Sequence, residues 1–533
     1  MSSETFLPPG ARNQTDVYAV HGAEPEVLAY AMAKYSRSAL SMRESLTEIS
    51  TQRAEQFLNT FYFQYGHRSI ADLAHIAFAV ERLSLLAAIV LVDEQRWDGQ
   101  ERSTRYQNFL KSGWFFPDFA AHAEPAQIYS KTIENLFATY QRTTTQVLEA
   151  LRRRVPSPET LKPDAYERTL KARAFDVARY LLPLATNTSL GQIVNARTLE
   201  TQVSRLLSHP AAEIRDLGLK LREAATGPAW NVNAQAATAF VEKLVAIGNN
   251  DDSVLAGEAA NLLTREVRTA PTLVKYAQPN SYSLQTQADL AQAAAEHLAS
   301  QPITAAPLVD LVERTESLEV ELAATLLYSV SHYPYRQIRD LVAQLPQARI
   351  TEIVELGLHH RGRHDEALRA FHSGAALRFD ILMDIGGFRD MHRHRRCTQI
   401  IQPFTALHGY ETPSSADLGP EVHILEEAGV LAEYQSAIDD AHRASAQVAA
   451  SGAPEAAQSA LYLLPLATRI RSLFKMDFAE AQYISELRSG PAGHFSYRRV
   501  AWEMYLALER QYPTLAKHIR VTDFTKPIDL LQR

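Results

Sequence analysis

A chain of 533 residues, 46% hydrophobic and 22% charged, is too long for one hydrophobic core, so roughly two to four domains are expected. Its formal charge of -7 excludes binding nucleic acid through an overall basic excess, which makes any anion site local. The single Cys397 excludes an intramolecular disulfide and a four-cysteine zinc cage, fitting a reducing compartment and no metal. The start MSSETFLPPGARNQ lacks the basic and apolar regions of a signal peptide, and the longest apolar run, Leu83 to Val92, is about half a membrane-spanning helix. A cytoplasmic protein with no membrane or nucleic-acid partner is expected.

In chain order, Glu26 to Tyr35 has helical spacing, and Gly66-His67-Arg68-Ser69 precedes His75-Ile-Ala-Phe-Ala-Val80, whose period of two predicts a strand. Glu101-Arg-Ser-Thr-Arg-Tyr106 then gathers a carboxylate, hydroxyl donors and guanidinium groups, a composition suited to a phosphate and equally to a solvated turn. Helical spacing returns over Glu134 to Arg153 and Ala211 to Ala225, and Gly248-Asn-Asn-Asp-Asp252 reads as a turn. From about Tyr282 to Pro307 an Ala- and Gln-rich stretch carries no strand signal and reads as a helical connector. Phe379, Ile381, Met383 and Ile385 alternate with Asp380, Leu382 and Asp384, predicting a half-buried strand. Arg389, Arg393 and Arg396 follow at i, i+4 and i+7, which on a helix is one cationic face or a basic last turn. His392 and His394, at i and i+2, share no helix face, so no metal pair is expected. Cys397 reads as a small, partly buried residue rather than a nucleophile.

Tyr180-Leu-Leu-Pro-Leu-Ala-Thr186 recurs letter for letter as Tyr462 to Thr468, and Pro25-Glu26-Val27 through Ser38 runs against Leu318-Glu319-Val320 through Ser331. Two copies of one domain are therefore expected: residues 1–280, a helical connector over 281–311, and residues 312–533. Each copy reads as α+β, helix-rich with a strand-bearing sheet.

These segments together resemble the flavin-dependent thymidylate synthases, whose signature is Arg-His-Arg, seven residues, then Ser-x-Arg-Tyr, after a Gly-His-x-Ser segment and a strand. The first copy has Gly66-His67-Arg68-Ser69 and the end of the signature in Glu101, Ser103, Arg105 and Tyr106, but Asp93-Glu94-Gln95 where Arg-His-Arg would stand. The second has Arg393-His394-Arg395, but Pro403-Phe404-Thr405-Ala406 for the other half. Arg179 precedes the first heptapeptide where the family carries a phosphate arginine; Leu461 precedes the second. Leu487-Arg488 with His494 resembles the family's C-terminal Leu-Arg and His, whereas Arg205 and His209 match only with a one-residue deletion. Asn195 and Arg197 match a flavin-contacting segment, where the second copy has Asp477 and Ala479.

The resemblance implies two tandem domains, each with an antiparallel sheet, and one composite site built from both. It implies Glu101, Ser103, Thr104, Arg105 and Arg179 around the phosphate and sugar of dUMP, with Arg393 and Arg488 polarising the pyrimidine. Arg393, Arg488 and Ser103 are the implied catalytic residues. His67, Ser69, Asn195, Arg197, Arg393, His394 and Arg395 are the implied FAD contacts, and NADPH and methylenetetrahydrofolate the implied co-substrates for dTMP formation. Asp390 stands where the family usually has a glutamine on the pyrimidine, which favours a base that donates protons and leaves another pyrimidine nucleotide open. Two broken signatures also leave open a catalytically silent protein that binds a nucleotide or a regulatory partner. A nucleic-acid contact through His392 to Arg396 is disfavoured by the charge and the lack of interleaved aromatics. Two fused copies imply a homodimer in place of the family's homotetramer.

Overall fold

The computed structural model describes residues 22–34 and 68–531, apart from 121, 232–233, 248–251, 264–265, 276, 314, 363–364, 366, 414, 416 and 420–421. Gly66, His67, the segment from Tyr35 to Ser38 and most of the turn at 248–252 lie outside the described residues. Contacts divide the chain into two compact units. One comprises Met1–Ile76, Asn195–Glu200 and Leu221–Tyr276; the other comprises Ala77–Val194, Thr201–Lys220 and Ala277–Arg533.

In the first unit, the carboxylate of Glu26, on the helix Pro25–Lys34, accepts the backbone N–H groups of Thr272 and Leu273 at 2.9 and 2.7 Å. An acid this deeply buried requires such partners. The helix Ala196–Leu207 starts in this unit, where Asn195 accepts the N–H of Thr198 at 2.8 Å as an N-terminal cap.

The second unit shows the duplication as topology. Strands β1 (His75–Ser84), β2 (Asp98–Glu101) and β3 (Asn187–Asn195) form a sheet in the order β1-β3-β2. Strands β4 (Val309–Leu311), β5 (Leu377–Asp384), β6 (Thr398–Ile401) and β7 (Arg469–Met476) form another in the order β4-β5-β7-β6. The order β5-β7-β6 repeats β1-β3-β2, with β4 added at an edge. Residues 281–311 hold a helix, Ser281–Leu298, and also β4, which pairs antiparallel with β5 through Val309 and Ile381.

Strand β5 differs from expectation, because seven of its eight residues are buried and so are both of its faces. The alternating Asp380 is not at solvent: its carboxylate takes the Tyr328 hydroxyl, the Tyr335 N–H and Arg471 at 2.8, 2.8 and 2.9 Å. The helix Leu318–Tyr328 lies over that face, and Lys475 of β7 reaches its Glu321 at 3.1 Å. Polar alternation therefore marks an internal hydrogen-bonded layer rather than an outer face.

β1 and β5 each run into a short helix, Leu85–Leu91 and Ile385–Met391, capped by Ser84 on Ala87 N–H (2.9 Å) and by Asp384 on Gly387 N–H (2.6 Å). The second helix ends at Met391, so Arg389, Arg393 and Arg396 do not form the expected helical stripe. The chain turns instead, with Cys397 Sγ and Gln399 Nε2 donating to the His394 carbonyl at 3.0 and 2.8 Å, and enters β6. Pairing of β6 with β7 outcompetes another helical turn.

The two heptapeptides pair with each other. Leu184 N–H donates to Leu464 C=O and Leu466 N–H to Leu182 C=O, while Ala185 N–H donates to Tyr462 C=O and Ala467 N–H to Tyr180 C=O. All four bonds are 2.9 to 3.0 Å, centred on a bridge between Pro183 and Pro465. Every bond has a partner with the copies exchanged, which defines a local pseudo-two-fold axis within one chain. The long helices Ala123–Arg154 and Leu431–Ala449 pack on one another beside it, with Arg142 of the first paired to Glu433 of the second.

Candidate active site

The pseudo-symmetry brings the end of β2 and the end of the helix Pro163–Ala178 against the two elements that carry the second copy's cations. Arg105 Nε and Nη2 donate to the Asp176 carboxylate at 2.7 and 3.2 Å; its Nη1 donates to the Tyr497 hydroxyl at 2.9 Å, and Nη2 also to the Ala492 carbonyl at 3.2 Å. Tyr497 lies on the helix Phe495–Gln511 of the second copy, so Arg105 is held between repeats. Ser103 is local, its hydroxyl accepting the Arg105 N–H at 3.2 Å, and Thr104 beside it is buried. Glu101 is engaged by Arg389.

Arg179 is 2% exposed and donates through Nη1 to Asp390 at 3.2 Å, while its Nε and Nη2 have no hydrogen-bond partner. Burial pushes the Asp390 carboxyl up, but the guanidinium groups of Arg179, Arg105, Arg393 and Arg488 outweigh it and hold the group below the usual carboxylate range. Two of these cations come from each copy. Arg393 is exposed at the mouth of this cluster, and Arg488 lies 5.4 Å from the Tyr497 ring centroid.

Arg488 is aimed by His394, whose Nε2 accepts its Nε–H at 2.7 Å. Burial, then Arg488 and Arg395, push the His394 imidazole down to about 3, so it is the neutral acceptor at neutral pH. Its Nδ1 lies 3.5 Å from Glu480, which orients the ring. Arg395 sits over the Trp97 ring at 4.5 Å, with its Nε buried and unpartnered.

Below the cluster, Asp384 accepts the Gly387 N–H and the Ser496 hydroxyl. Burial pushes its carboxyl up to about 6, opposed by the Ser496 hydrogen bond and by Arg179. A Cβ on Gly386 would stand 3.5 Å from Arg179 Nε and Nη2, and one on Gly387 only 2.5 Å from Ser496 Oγ. Gly387 thus makes room for the Ser496 hydroxyl, whereas at Gly386 a Cβ would only reach ordinary van der Waals contact with the guanidinium.

The place related by the pseudo-two-fold is built differently. Ser84 and Glu213 exchange the parts played by Asp384 and Ser496, the Ser84 hydroxyl donating to Glu213 at 2.7 Å with Tyr462 donating at 2.8 Å. Arg205 meets Glu94 at 2.9 Å as Arg488 meets His394. Asp93, in the place of Arg393, is covered by Arg369 at 2.5 Å and His392 at 3.1 Å. Ile89, Val90, Leu461 and Thr405 stand in the register of Arg389, Asp390, Arg179 and Arg105.

Of the residues expected at the site, Glu101, Ser103, Thr104, Arg105, Arg179, Asp390, Arg393, His394, Arg395 and Arg488 lie in this second unit. Ser69, Asn195 and Arg197 belong to the first, where Asn195 is a helix cap and Arg197 pairs with Asp72 at 3.1 Å. Asp176, Asp384, Ser496 and Tyr497 escape a motif-based reading. Asp176 carries one usable signal: it is the acid in the apolar Ala174-Phe-Asp-Val-Ala178, and a buried acid demands a cation. Cys397 is buried and its thiol is pushed up to about 12 by that burial, which makes it inert.

Known proteins extend these observations. The chain is 26% identical over 544 residues to a Chlamydia muridarum protein described as "UPF0159 protein", covering 94% of this chain and 91% of that one. It is 24% identical over 176 residues to a "Flavin-dependent thymidylate synthase" from Clostridium tetani, covering 33% of this chain and 67% of that one. Among solved structures, a flavin-dependent thymidylate synthase from Helicobacter pylori complexed with FAD and dUMP matches at 18% identity and a TM-score of 0.25, covering 38% of this chain and 89% of that one. The model of the family described as "Thymidylate synthase complementing protein" matches twice, over residues 19–227 and 310–514. The chain belongs to that thymidylate synthase complementing protein family, in a form with two tandem copies of its domain.

Proposed function

We propose that the protein is a flavin-dependent methyltransferase of the thymidylate synthase type, with one composite site per chain for a pyrimidine nucleoside monophosphate. The observation that carries this reading is the meeting of cations from both copies around Asp390: Arg179 pairs with it at 3.2 Å, Arg105 is tied to Tyr497 of the second copy at 2.9 Å, and Arg393 and Arg488 add to the positive charge that holds its carboxyl down. Fixed guanidinium groups in a buried setting suit a phosphate and the charge that develops on a pyrimidine carbonyl. Ser103, Thr104 and Arg179 would hold the phosphate, with Arg105 and Glu101 at the sugar side. Arg393 and Arg488 would meet the ring.

The unpartnered Nε and Nη2 of Arg179 and Nε of Arg395 are donors that fit anionic ligand oxygens, so this donor set suits both a nucleotide and a flavin. Reduced FAD, when bound, supplies methylene relay and hydride chemistry with methylenetetrahydrofolate as carbon donor and NADPH as reductant. His394 and Arg395 are the residues of this unit proposed to hold it. The neutral His394 keeps Arg488 pointed, and Asp384 is buried in the floor.

We assign residues 1–280 and 312–533 to the two copies, joined by 281–311, and expect a homodimer in the cytoplasm. Sedimentation as a monomer would sink the dimer. A protein that takes up FAD, turns yellow, binds dUMP and supports growth of a thymidine-requiring cell meets the enzymatic reading; one that takes up no FAD overturns it. A second reading is favoured by Asp176, which fills the fork of Arg105, and by Asp390, which occupies part of that of Arg179. On that reading the chain acts on another pyrimidine nucleotide, or binds one without turnover, and FAD binding without complementation would select it.

A further inference from the structure

The four arginines face two carboxylates of the protein itself, and these differ in kind. Asp176 is closed into a bidentate pair with Arg105, and its own side chain is 3% exposed. Asp390 makes one contact, Oδ2 to Arg179 Nη1 at 3.2 Å, and its side chain is 15% exposed. Arg179 nevertheless keeps two buried nitrogens, Nε and Nη2, without partners. The mirror position of Asp390 is Val90 and that of Arg179 is Leu461, so acid and arginine, one from each copy, meet at this site and are absent together from its pseudo-symmetric counterpart.

We propose that Asp390 is the specificity-determining residue of this site. It is a resident carboxylate that occupies part of the Arg179 fork, turns away simple anions, and admits a ligand that offers it an N–H donor on an uncharged group while presenting a separate negative charge to Arg179, Arg393 and Arg488. The proposal rests on the nucleotide-binding reading above for where the ligand lies. Its chemistry is general: a charge placed in an anion site discriminates by repulsion as much as the arginines do by attraction. A nucleoside monophosphate whose base carries ring N–H groups satisfies both demands. Inorganic phosphate satisfies one.

The test uses the full chain and inorganic phosphate as probe, with melting temperature read against sodium chloride at matched ionic strength. Wild type is expected to show no phosphate-specific stabilisation at low millimolar concentration. Asp390→Asn frees the Arg179 fork and is expected to bind phosphate about tenfold more tightly, with a melting temperature that rises as phosphate is added. Asp390→Glu keeps the charge and should behave as wild type. Phosphate stabilisation of wild type, an Asn variant no more responsive than wild type, or a Glu variant that responds like Asn each overturns the proposal. The wild-type arm stands even where a variant does not fold. None of the readings needs dUMP or FAD, so loss of the enzymatic reading shows instead as absent FAD uptake or complementation with these phosphate responses intact.

Discussion

Asp384 couples the site to protonation. Its carboxyl is pushed up to about 6 by burial, above an unfolded value of about 3.9. Between those values the folded chain holds a proton that the unfolded chain has released, so this group's contribution falls as pH rises from about 4 to about 6 and stays low above that. In Asp384→Asn the cap on Gly387 N–H and a bond to Ser496 can both persist, without the buried charge. Urea midpoints should therefore show the variant gaining up to about 3 kcal/mol relative to wild type between pH 4 and pH 7.5. A difference between the two proteins that stays constant across that range would refute the assignment. His394, pushed down to about 3, makes the opposite kind of statement: its ring nitrogens, followed by NMR, should show no titration from pH 8 to pH 5. A midpoint near 6.5 would remove it as the neutral acceptor for Arg488. At this scale the cations are legible in sequence because a motif register places them, while Asp176, Asp384 and Tyr497 are not. A lone acid or tyrosine on a helix has the same appearance whether it is solvated or buried against a guanidinium from a residue far away in sequence.

The heptapeptide shows how an element acquires meaning only through pairing. As sequence it marks likeness and register; as structure each copy is the other's hydrogen-bond partner, with Pro183 against Pro465 where neither needs to donate. Ala185 and Ala467 occupy equivalent, fully buried places in this ladder. Ala185→Pro and Ala467→Pro each remove one donor and crowd the axis, with an expected cost of roughly 2–5 kcal/mol apiece. Chemical denaturation should give similar losses for the two, and a silent result at one position would contradict the reciprocal ladder. The long helices and strands β1 and β5 follow from periodicity, since their apolar spacing is what packs. The end of the helix at Met391 does not, because helical spacing of Arg389, Arg393 and Arg396 competes with a β6–β7 pairing encoded some seventy residues downstream. The polar alternation of β5 misleads for a related reason, as its buried acid is satisfied by side chains on the Leu318–Tyr328 helix and on β7.

For the whole molecule, duplication relaxes a constraint that symmetry imposes on a dimer of identical chains. Identical subunits must build every symmetry-related site from the same residues. Two copies in one chain can diverge, and here one place keeps Arg105, Arg179, Asp390, Arg393 and Arg488 while its counterpart has Thr405, Leu461, Val90, Asp93 and Arg205. In the counterpart, acids in the Arg-His-Arg register are neutralised by Arg369 and Arg205, so the charge that would attract a ligand is turned into contacts between and within the copies. Ligand stoichiometry follows. Calorimetric titration with dUMP should saturate at one nucleotide per chain, and Arg179→Ala should weaken that binding by a factor of about 100, the scale of two charged hydrogen bonds. Leu461→Ala, its counterpart, should leave nucleotide affinity unchanged while lowering stability. Two equivalents bound per chain, or equal losses of affinity from the two substitutions, would mean that both places still take ligand and that the divergence between the copies is not functional.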